Sequence, residues 1–274
     1  MKFLKMPFLI LTLAALVITA GCADRIDDHP EALGEADGPL RAESSTAMIE
    51  SDNLTYPAYV ATPAPSRVGG EGGGDDPIYP GVVMIHSFNG LEPGYRDLAD
   101  RLAASGYVVI VPEWQNFDET PLDEAVDRLV VACAAYLIDR EDVNGDRLGL
   151  TGFCAGGRYT MLFLPQMEEF CSGVAWYGFP YSGGFNDETK PADLIDGLDA
   201  PMLIIHGTRD VPSPISGIYE YAAALDAADK YFELKVYQGE GHGFMINEGE
   251  RSESFAALDA EGEMARFFDR TLKG

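Results

Sequence analysis

The segment Gly152-Phe153-Cys154-Ala155-Gly156-Gly157 constrains the fold of this chain more than any other part of its sequence. It follows the short apolar stretch 147–151 and precedes a stretch of helical character, an order that is typical of a nucleophile elbow. Glycine is needed at these positions because larger side chains beside the elbow would collide with the neighbouring strand and helix. The turn lifts the thiol above the sheet edge, and the helix N-terminus that follows favours the thiolate. The segment therefore predicts a strand–turn–helix unit with Cys154 as its nucleophile.

Strand-like and helix-like segments alternate from Tyr56 to the end of the chain. Short apolar runs predict strands over 56–62, 81–85, 107–111, 147–151, 174–177, 202–205 and 231–237, with the first one antiparallel. Helical periodicity predicts helices over 93–105, 122–137, 215–228 and 255–272. This alternation predicts an α/β fold with a mostly parallel central sheet and helices on both of its faces. With no internal repeat and no long linker after residue 50, we expect one catalytic domain over 46–274.

The first 22 residues predict an export signal. Lys2 and Lys5 precede an almost wholly apolar stretch, 8–20, that is too short for an ordinary membrane span. The segment ends Thr19-Ala20-Gly21-Cys22, which resembles the lipobox of bacterial lipoproteins, whose cysteine is lipidated and becomes the mature N-terminus. This resemblance implies a lipid anchor on Cys22 and a periplasmic or cell-surface location. Thr19 departs from the aliphatic residue of the pattern, so cleavage near residue 20 and secretion, with Cys22 as a plain thiol, stays an alternative.

Two further segments predict flexible chain. Residues 23–45 are polar, acidic and without periodicity, which predicts a tether between the anchor and the domain. The glycine-rich stretch 69–74 predicts a surface loop. It is not a phosphate-binding loop, because no strand directly precedes it and no Lys-Ser/Thr pair ends it.

The charge of the chain excludes some classes of partner. Its 45 acidic and 19 basic residues give a net charge of −26, and such a field repels nucleic acid and anionic membrane surfaces. Because the acidic residues are spread along the sequence, they predict a solvated acidic surface rather than a cation site. No spacing of Cys and His indicates zinc, and 142–146 lacks the glycine and glutamate placement of a calcium loop. We expect neither a metal nor a cofactor.

Four cysteines occur in the chain. Cys22 belongs to the export signal and Cys154 to the elbow. Cys133 and Cys171 lie in or beside apolar runs, so we expect both to be small buried residues. Because export permits disulfides, a bond between these two stays an alternative that the sequence leaves open.

Asp210 and His242 are the candidates for the acid and base that a cysteine nucleophile needs. Asp210 lies four residues after the predicted strand that ends near His206, and His242 follows the next strand. Both loops lie at the carboxyl ends of their strands, where open α/β sheets place their ligands. Asp196 and Asp199 precede their strand and lie at the wrong end. His242 would take the proton of the thiol or form an ion pair with its thiolate, and Asp210 would orient the imidazole.

The backbone around the predicted nucleophile supplies candidates for an oxyanion hole. The N–H of Ala155 directly follows Cys154, and the N–H of Phe88 follows the strand 81–85. With these groups, thiolate attack would give an acyl-enzyme that water then hydrolyses.

At these motifs the chain resembles the dienelactone hydrolases (carboxymethylenebutenolidases) of the α/β-hydrolase superfamily. The resemblance covers about 80–272 and rests on Gly-Phe-Cys-Ala-Gly-Gly at 152–157, His-Gly-Thr-Arg-Asp at 206–210, Gly-His-Gly-Phe at 241–244 and Trp-Tyr-Gly at 176–178. It implies an α/β-hydrolase fold, the hydrolysis of carboxylic esters or lactones, and catalytic roles for Cys154, Asp210 and His242.

Three departures from that family bear on the substrate. The family's glutamate that contacts the resting cysteine falls at Ser87, and a serine cannot replace that carboxylate. One of the two arginines that bind the substrate carboxylate falls at Ile246, and by our alignment the other falls near Phe117. Without these arginines an anionic dienelactone loses its charge-assisted hydrogen bonds. We therefore expect a neutral ester, lactone or thioester as the small-molecule substrate.

The remaining predictions concern the pocket and two histidines. We expect the substrate pocket to be lined by Ser87, Trp114, Phe117, Tyr177, Phe244 and Ile246, although core packing is an equal alternative for each aromatic ring. His86 is expected to support or line the site, and His206 to be a hydrogen-bonded structural residue. Because of Ser87, a second hypothesis stays open: a weakly active or inactive homologue that serves as a binding lipoprotein of the cell envelope.

Overall fold

The computed structural model describes residues 41–64, 77–185 and 187–274. The main sheet has eight strands: β1 (Ala42–Ser51), β2 (Leu54–Pro63), β3 (Tyr79–Ile85), β4 (Val108–Pro112), β5 (Val143–Phe153), β6 (Phe170–Trp176), β7 (Met202–Gly207) and β8 (Phe232–Tyr237). Their order is β1-β2-β4-β3-β5-β6-β7-β8. The β1–β2 and β2–β4 pairs are antiparallel, and all pairs from β4 to β8 are parallel. The predicted α/β architecture is confirmed.

Five α-helices connect or follow these strands: α1 (Pro93–Ala104), α2 (Asp123–Ile138), α3 (Ala155–Phe163), α4 (Ile215–Ala227) and α5 (Phe255–Phe268). A 3₁₀ helix spans Pro191–Gly197, a π-helical turn spans Asp269–Lys273, and β9 (Ile246–Asn247) pairs with β10 (Glu250–Arg251) in a small hairpin. In the described part of the chain, no helix combines the length and the apolar character that a membrane span requires.

Each face of the main sheet carries its own hydrophobic core, because successive side chains of a strand point to opposite faces. Val83 and Ile85 of β3 pack in the core that includes α2, α3 and α4. Val82 and Met84 of the same strand pack in the core that includes α1 and α5. The sheet is therefore buried on both sides, and its edges are left for the loops that carry the candidate site.

The folded region begins earlier than the sequence predicts. Strand β1 starts at Ala42, so the last residues of the predicted tether 23–45 belong to the sheet. Most side chains of this edge strand are exposed, and it therefore lacks the alternation of apolar residues by which strands are recognised. The export signal 1–22 with Cys22, the rest of the tether up to residue 40, and the glycine-rich stretch 69–74 lie outside the described residues.

Cys133 is a buried free thiol in the core, so no disulfide joins it to Cys171. Cys171 is buried as well, with 4% of its surface exposed. The expectation that both residues are buried is confirmed.

Candidate active site

Cys154 occupies a sharp turn between β5 and α3. Its backbone has φ 58° and ψ −111°, a conformation that is costly for a non-glycine residue and that the surroundings must hold in place. The Cys154 N–H donates to the Trp176 carbonyl over 3.1 Å. A Cβ atom at Gly152 would collide with the Gly156 backbone, and one at Gly156 would collide with the Ile85 carbonyl oxygen. The structure shows the predicted elbow and the steric reason for its glycines.

Asp210 and His242 meet at the same edge of the sheet as Cys154. Asp210 lies in the loop after β7, and His242 lies in the loop after β8. Nδ1 of His242 donates to Oδ2 of Asp210 over 2.7 Å. The other carboxylate oxygen of Asp210 accepts the N–H of Ser213 over 2.8 Å. With 4% of its surface exposed, Asp210 is a buried and fixed acceptor that orients the imidazole.

The second nitrogen of His242, Nε2, is buried and makes no aligned hydrogen bond to another described residue. Burial by itself would lower the pKa of His242. Interactions with Asp210 and with the Cys154 sulfur outweigh burial and raise the pKa to about 9. The thiol is therefore within interaction range of the imidazole. The arrangement therefore places a protonated imidazole beside the Cys154 sulfur near neutral pH.

His206 supports Asp210 from the end of β7. Its Nε2 donates to the Ser213 carbonyl over 2.7 Å and lies 3.5 Å from Oδ2 of Asp210. Burial lowers the pKa of His206, so the neutral form is favoured. The Ser213 hydroxyl donates to the Gly178 carbonyl over 2.6 Å. His206 is thus a hydrogen-bonded structural residue, as predicted, whereas the supporting role of Ser213 was not predicted.

A cavity of about 290 Å³ opens beside the Cys154 thiol. It is lined by Phe88, Cys154, Ala155, Arg158, Tyr159, Phe179, Ser182, Gly183, Gly184 and Phe185. Ala155 is the first residue of α3, where an N–H has no partner within the helix. Within the described residues, neither the Ala155 N–H nor the Phe88 N–H donates a hydrogen bond. Both amides are therefore without a hydrogen-bond acceptor among the described residues, and their role as an oxyanion hole stays a prediction. Among the described residues, no group of three or more His, Cys, Asp or Glu could hold a metal ion.

A family model named Dienelactone hydrolase family matches residues 72–272. The chain belongs to this family. A candidate carboxymethylenebutenolidase of Escherichia coli (strain K12) is 30% identical over 249 residues, which cover 85% of this chain and 88% of that protein. A human carboxymethylenebutenolidase homolog is 27% identical over 182 residues, 60% of this chain and 70% of that one.

A solved structure supports the same assignment. A candidate dienelactone hydrolase from Klebsiella pneumoniae subsp. pneumoniae superimposes with a TM-score of 0.72 at 27% identity, covering 83% of this chain and 98% of that chain. The chain is therefore a dienelactone hydrolase-like hydrolase of carboxylic esters or lactones with the α/β-hydrolase fold, as the sequence predicted.

The cavity of this dienelactone hydrolase-family member is not lined by the six residues that the sequence predicted. Ser87, Trp114 and Tyr177 are buried in the protein. The Ser87 hydroxyl accepts the N–H of Asn89 over 3.2 Å, which makes it part of a turn. Trp114 donates through Nε1 to the His86 carbonyl over 3.2 Å and stacks on the His86 ring. Burial lowers the pKa of His86 to about 4, and this residue supports the region from behind rather than lining the cavity.

The other three predicted pocket residues pack elsewhere. Phe117 is 52% exposed, and its ring lies edge-on against Tyr56 at 5.0 Å. Phe244 packs against Tyr177 with the ring centroids 5.6 Å apart. Ile246 belongs to the β9–β10 hairpin, in contact with the second core. These six residues therefore lie outside the lining of the cavity beside Cys154, since aromatic composition does not say which way a loop side chain points.

Five residues with side chains that line the cavity were not predicted. Phe179, Ser182 and Phe185 come from the polar loop after β6, and Arg158 and Tyr159 come from α3. The signal for Arg158 and Tyr159 was present in the sequence, since both lie about one helical turn after Cys154. No periodic pattern identifies Phe179 and Phe185, because they lie in irregular chain.

Proposed function

We propose that this protein hydrolyses neutral carboxylic esters or lactones through a thioester acyl-enzyme on Cys154. The observation that carries the proposal is the position of His242, which donates to Asp210 at 2.7 Å and interacts with the Cys154 sulfur through its other side. A cysteine in an elbow, a buried imidazole and a fixed carboxylate are the three parts that nucleophilic acyl transfer requires.

The first half of the reaction forms the acyl-enzyme. The Cys154 thiolate attacks the substrate carbonyl, and the N–H groups of Ala155 and Phe88 stabilise the oxyanion of the tetrahedral intermediate. His242, protonated at Nε2, gives its proton to the leaving oxygen as the C–O bond breaks. The products of this half are an alcohol and a thioester on Cys154. For a lactone the alcohol remains attached to the acyl group.

The second half releases the acid. His242, now neutral, takes a proton from water while the hydroxide attacks the thioester carbonyl. The same two amides stabilise the second oxyanion, and the C–S bond breaks to regenerate the thiolate. Asp210 holds the imidazole in the tautomer that both halves need.

The neutral character of the substrate is supported by what surrounds Cys154. Ile246 and the region of Phe117 replace the arginines that the family resemblance assigns to a substrate carboxylate. The cavity wall is mostly aromatic and aliphatic, with rings from Phe88, Phe179 and Phe185. A net charge of −26 further disfavours the approach of anions.

The test combines turnover with labelling of the thiol. The purified protein should hydrolyse p-nitrophenyl hexanoate, and both Cys154→Ala and His242→Ala should lower kcat at least 10³-fold. Iodoacetamide at pH 7 should label Cys154 and stop turnover. Cys133 is a built-in control, because burial raises the pKa of its thiol and blocks access to it. Turnover that survives Cys154→Ala would exclude the acyl-enzyme proposed here.

A second candidate function is a weakly active or inactive homologue that binds a ligand at the cell envelope. It is favoured by one observation: Ser87 occupies the position of the family's cysteine-contacting glutamate and is engaged in a turn with Asn89. This candidate predicts slow labelling of Cys154 at pH 7 and no ester turnover, together with saturable binding of a hydrophobic ester. Rapid ester turnover that is lost when iodoacetamide labels Cys154 would eliminate it.

We also propose that the protein is exported and anchored to a membrane by lipid on Cys22. The proposal rests on Lys2, Lys5, the apolar stretch 8–20 and the lipobox-like ending at Cys22. Expression in a bacterium with radiolabelled palmitate should give a labelled membrane-bound protein, and Cys22→Ala should abolish the label. A protein cleaved near residue 20 and released unlabelled would support secretion instead.

A further inference from the structure

A buried arginine forms part of the cavity wall. Arg158 lies on α3 and donates its backbone N–H to the Cys154 carbonyl, one helical turn earlier, over 2.9 Å. Only 6% of its side chain is exposed. An unpaired guanidinium at this place would be the natural partner for a carboxylate on a substrate, because its planar fork matches both carboxylate oxygens.

The fork of Arg158 is already occupied by a carboxylate from the chain itself. Nη1 donates to Oδ1 of Asp123 over 3.0 Å, and Nη2 donates to Oδ2 over 2.7 Å. Asp123 is the first residue of α2, and its side chain is as buried as that of its partner. The pair is bidentate, so the charge of the guanidinium is balanced within the protein and in a region of low dielectric.

The loop that forms the outer wall of the cavity covers this pair. Nε of Arg158 donates to the Ser182 carbonyl over 2.9 Å, and Nη2 donates to the Thr189 carbonyl over 2.8 Å. Gly184, which lines the cavity, lies so close to Asp123 that a Cβ atom there would collide with the carboxylate. The ion pair is therefore built into the wall, directly behind the surface that a substrate meets.

The position of the cavity indicates which part of the substrate enters it. The cavity is lined by Phe88 and Ala155, whose amides are the proposed donors to the oxyanion, and His242 is not among its lining residues. Because His242 must protonate the leaving oxygen, the leaving alcohol lies on the His242 side and the acyl group lies on the cavity side. A cavity of about 290 Å³ is about twice the ~150 Å³ that encloses benzene. It accommodates an aromatic ring or a chain of about six to eight carbons.

We propose that the cavity is the acyl site and that Asp123 sets its charge preference by occupying the guanidinium of Arg158, so that uncharged acyl groups enter and carboxylate-bearing ones are rejected. The inference rests on the proposed function. An incoming carboxylate would find the Arg158 guanidinium already paired and no net positive charge behind the cavity wall. In a poorly solvated cavity a carboxylate without a partner loses hydration that nothing replaces. Asp123 is thus a specificity-determining residue that does not touch the reacting atoms.

The experiment compares two esters of the same acyl length, p-nitrophenyl hexanoate and the mono-p-nitrophenyl ester of adipic acid, which differ by a terminal carboxylate. Rates are measured in 1 M NaCl, where the screening length of about 3 Å suppresses the diffuse field of the acidic surface. The unaltered protein is expected to show at least a 100-fold higher kcat/KM for the hexanoate. Asp123→Asn should lower this ratio at least tenfold, because the freed guanidinium then binds the adipate carboxylate.

Two controls distinguish the effect of breaking the Asp123–Arg158 ion pair from the effect of removing one negative charge. Asp127→Asn removes a carboxylate from the same helix, four residues further along, and should leave the ratio unchanged. The double variant Asp123→Asn/Arg158→Gln removes the guanidinium as well, and its ratio should return to within threefold of the original value. A folded Asp123→Asn protein with the original ratio overturns the inference.

Breaking a buried ion pair can prevent folding, so circular dichroism is recorded for each variant. If Asp123→Asn does not fold, the unaltered protein still decides the question, since equal kcat/KM for the two esters would overturn the inference. The outcomes also separate this inference from the function on which it rests. Absence of Cys154-dependent turnover of the hexanoate would refute the proposed function. Normal turnover without discrimination between the esters would refute only the charge preference.

Discussion

Nδ1 of His242 lies 2.7 Å from Oδ2 of Asp210, although the two residues are 32 positions apart in the chain. The bond fixes the imidazole so that Nε2 faces the elbow rather than solvent. Asp210 is itself held by the Ser213 N–H and lies beside His206. The orientation of the base is therefore set by a buried network at the end of β7.

Replacing Asp210 by asparagine should lower kcat about 10²- to 10⁴-fold with little change in KM. The amide keeps the shape of the side chain but favours the wrong tautomer of His242 and no longer stabilises the imidazolium. The measurement is steady-state hydrolysis of p-nitrophenyl hexanoate. Asp199→Asn is the matched control, since the Asp199 side chain is 93% exposed and its replacement should leave kcat unchanged. Loss of activity in Asp199→Asn with normal Asp210→Asn would contradict the assignment.

The activity should decline above a pH of about 9, because the pKa of His242 is raised to about 9 and its protonated form delivers the leaving-group proton. A pH profile of kcat/KM measures this limb. Asp210→Asn should move the limb to lower pH, since the hydrogen bond to Asp210 raises the pKa. A kcat/KM profile that stays flat to pH 10 would disagree with this role of His242.

The raised pKa of His242 also contributes to the free energy of unfolding. This contribution is fully present below the pKa of about 6.5 that the imidazole has in the unfolded chain, and it is lost as the pH rises through the folded pKa of about 9.

Gly156→Ala should destabilise the protein by about 3 kcal/mol or more, since its Cβ atom would collide with the backbone carbonyls of Ile85 and His86. Gly217→Ala is the control in another helix. A Cβ atom there meets only Tyr181 at an ordinary 3.8 Å, so the substitution should be neutral or stabilise by up to about 1 kcal/mol. Urea unfolding followed by circular dichroism compares the two. Equal stability of both variants would show that the elbow tolerates a side chain.

Phe185→Ala should raise KM for p-nitrophenyl hexanoate about tenfold with kcat nearly unchanged. The Phe185 ring forms part of the cavity wall and packs against Phe88 with the centroids 5.1 Å apart. Its loss removes apolar contact with the acyl chain, for which about 1.4 kcal/mol is a typical scale. Phe255→Ala removes an 82% exposed ring far along the sequence and should leave KM unchanged. An unaltered KM in Phe185→Ala would mean that the acyl chain does not use this wall.

The strands and the candidate triad could be predicted because their signals are local. Buried parallel strands are short apolar runs, and the turn around Cys154 requires glycine wherever backbones approach closely. Once β5, β7 and β8 are recognised as parallel, the loops after them must reach one edge of the sheet, so Asp210 and His242 follow by topology. The sequence did not predict the edge strand β1, because most of its side chains face solvent and show no alternation of apolar and polar residues.

The pocket could not be predicted in the same way. Trp114 and Tyr177 are aromatic residues that follow strands β4 and β6, but both side chains are buried in the protein interior. Phe179 and Phe185 lie in an irregular loop, where side-chain direction depends on contacts with distant residues. The pairing of Arg158 with Asp123 joins positions 35 apart and has no sequence signature.

The sequence by itself determined the sheet, the elbow and the order in which Cys154, Asp210 and His242 reach its edge, because these depend on hydrophobic periodicity and on steric needs of the nearby backbone. Only the tertiary structure decided which side chains enclose the cavity and that Arg158 in its wall is already neutralised by Asp123. Those features arise from packing between segments far apart in the chain, and such contacts depend on three-dimensional distance rather than on local residue order.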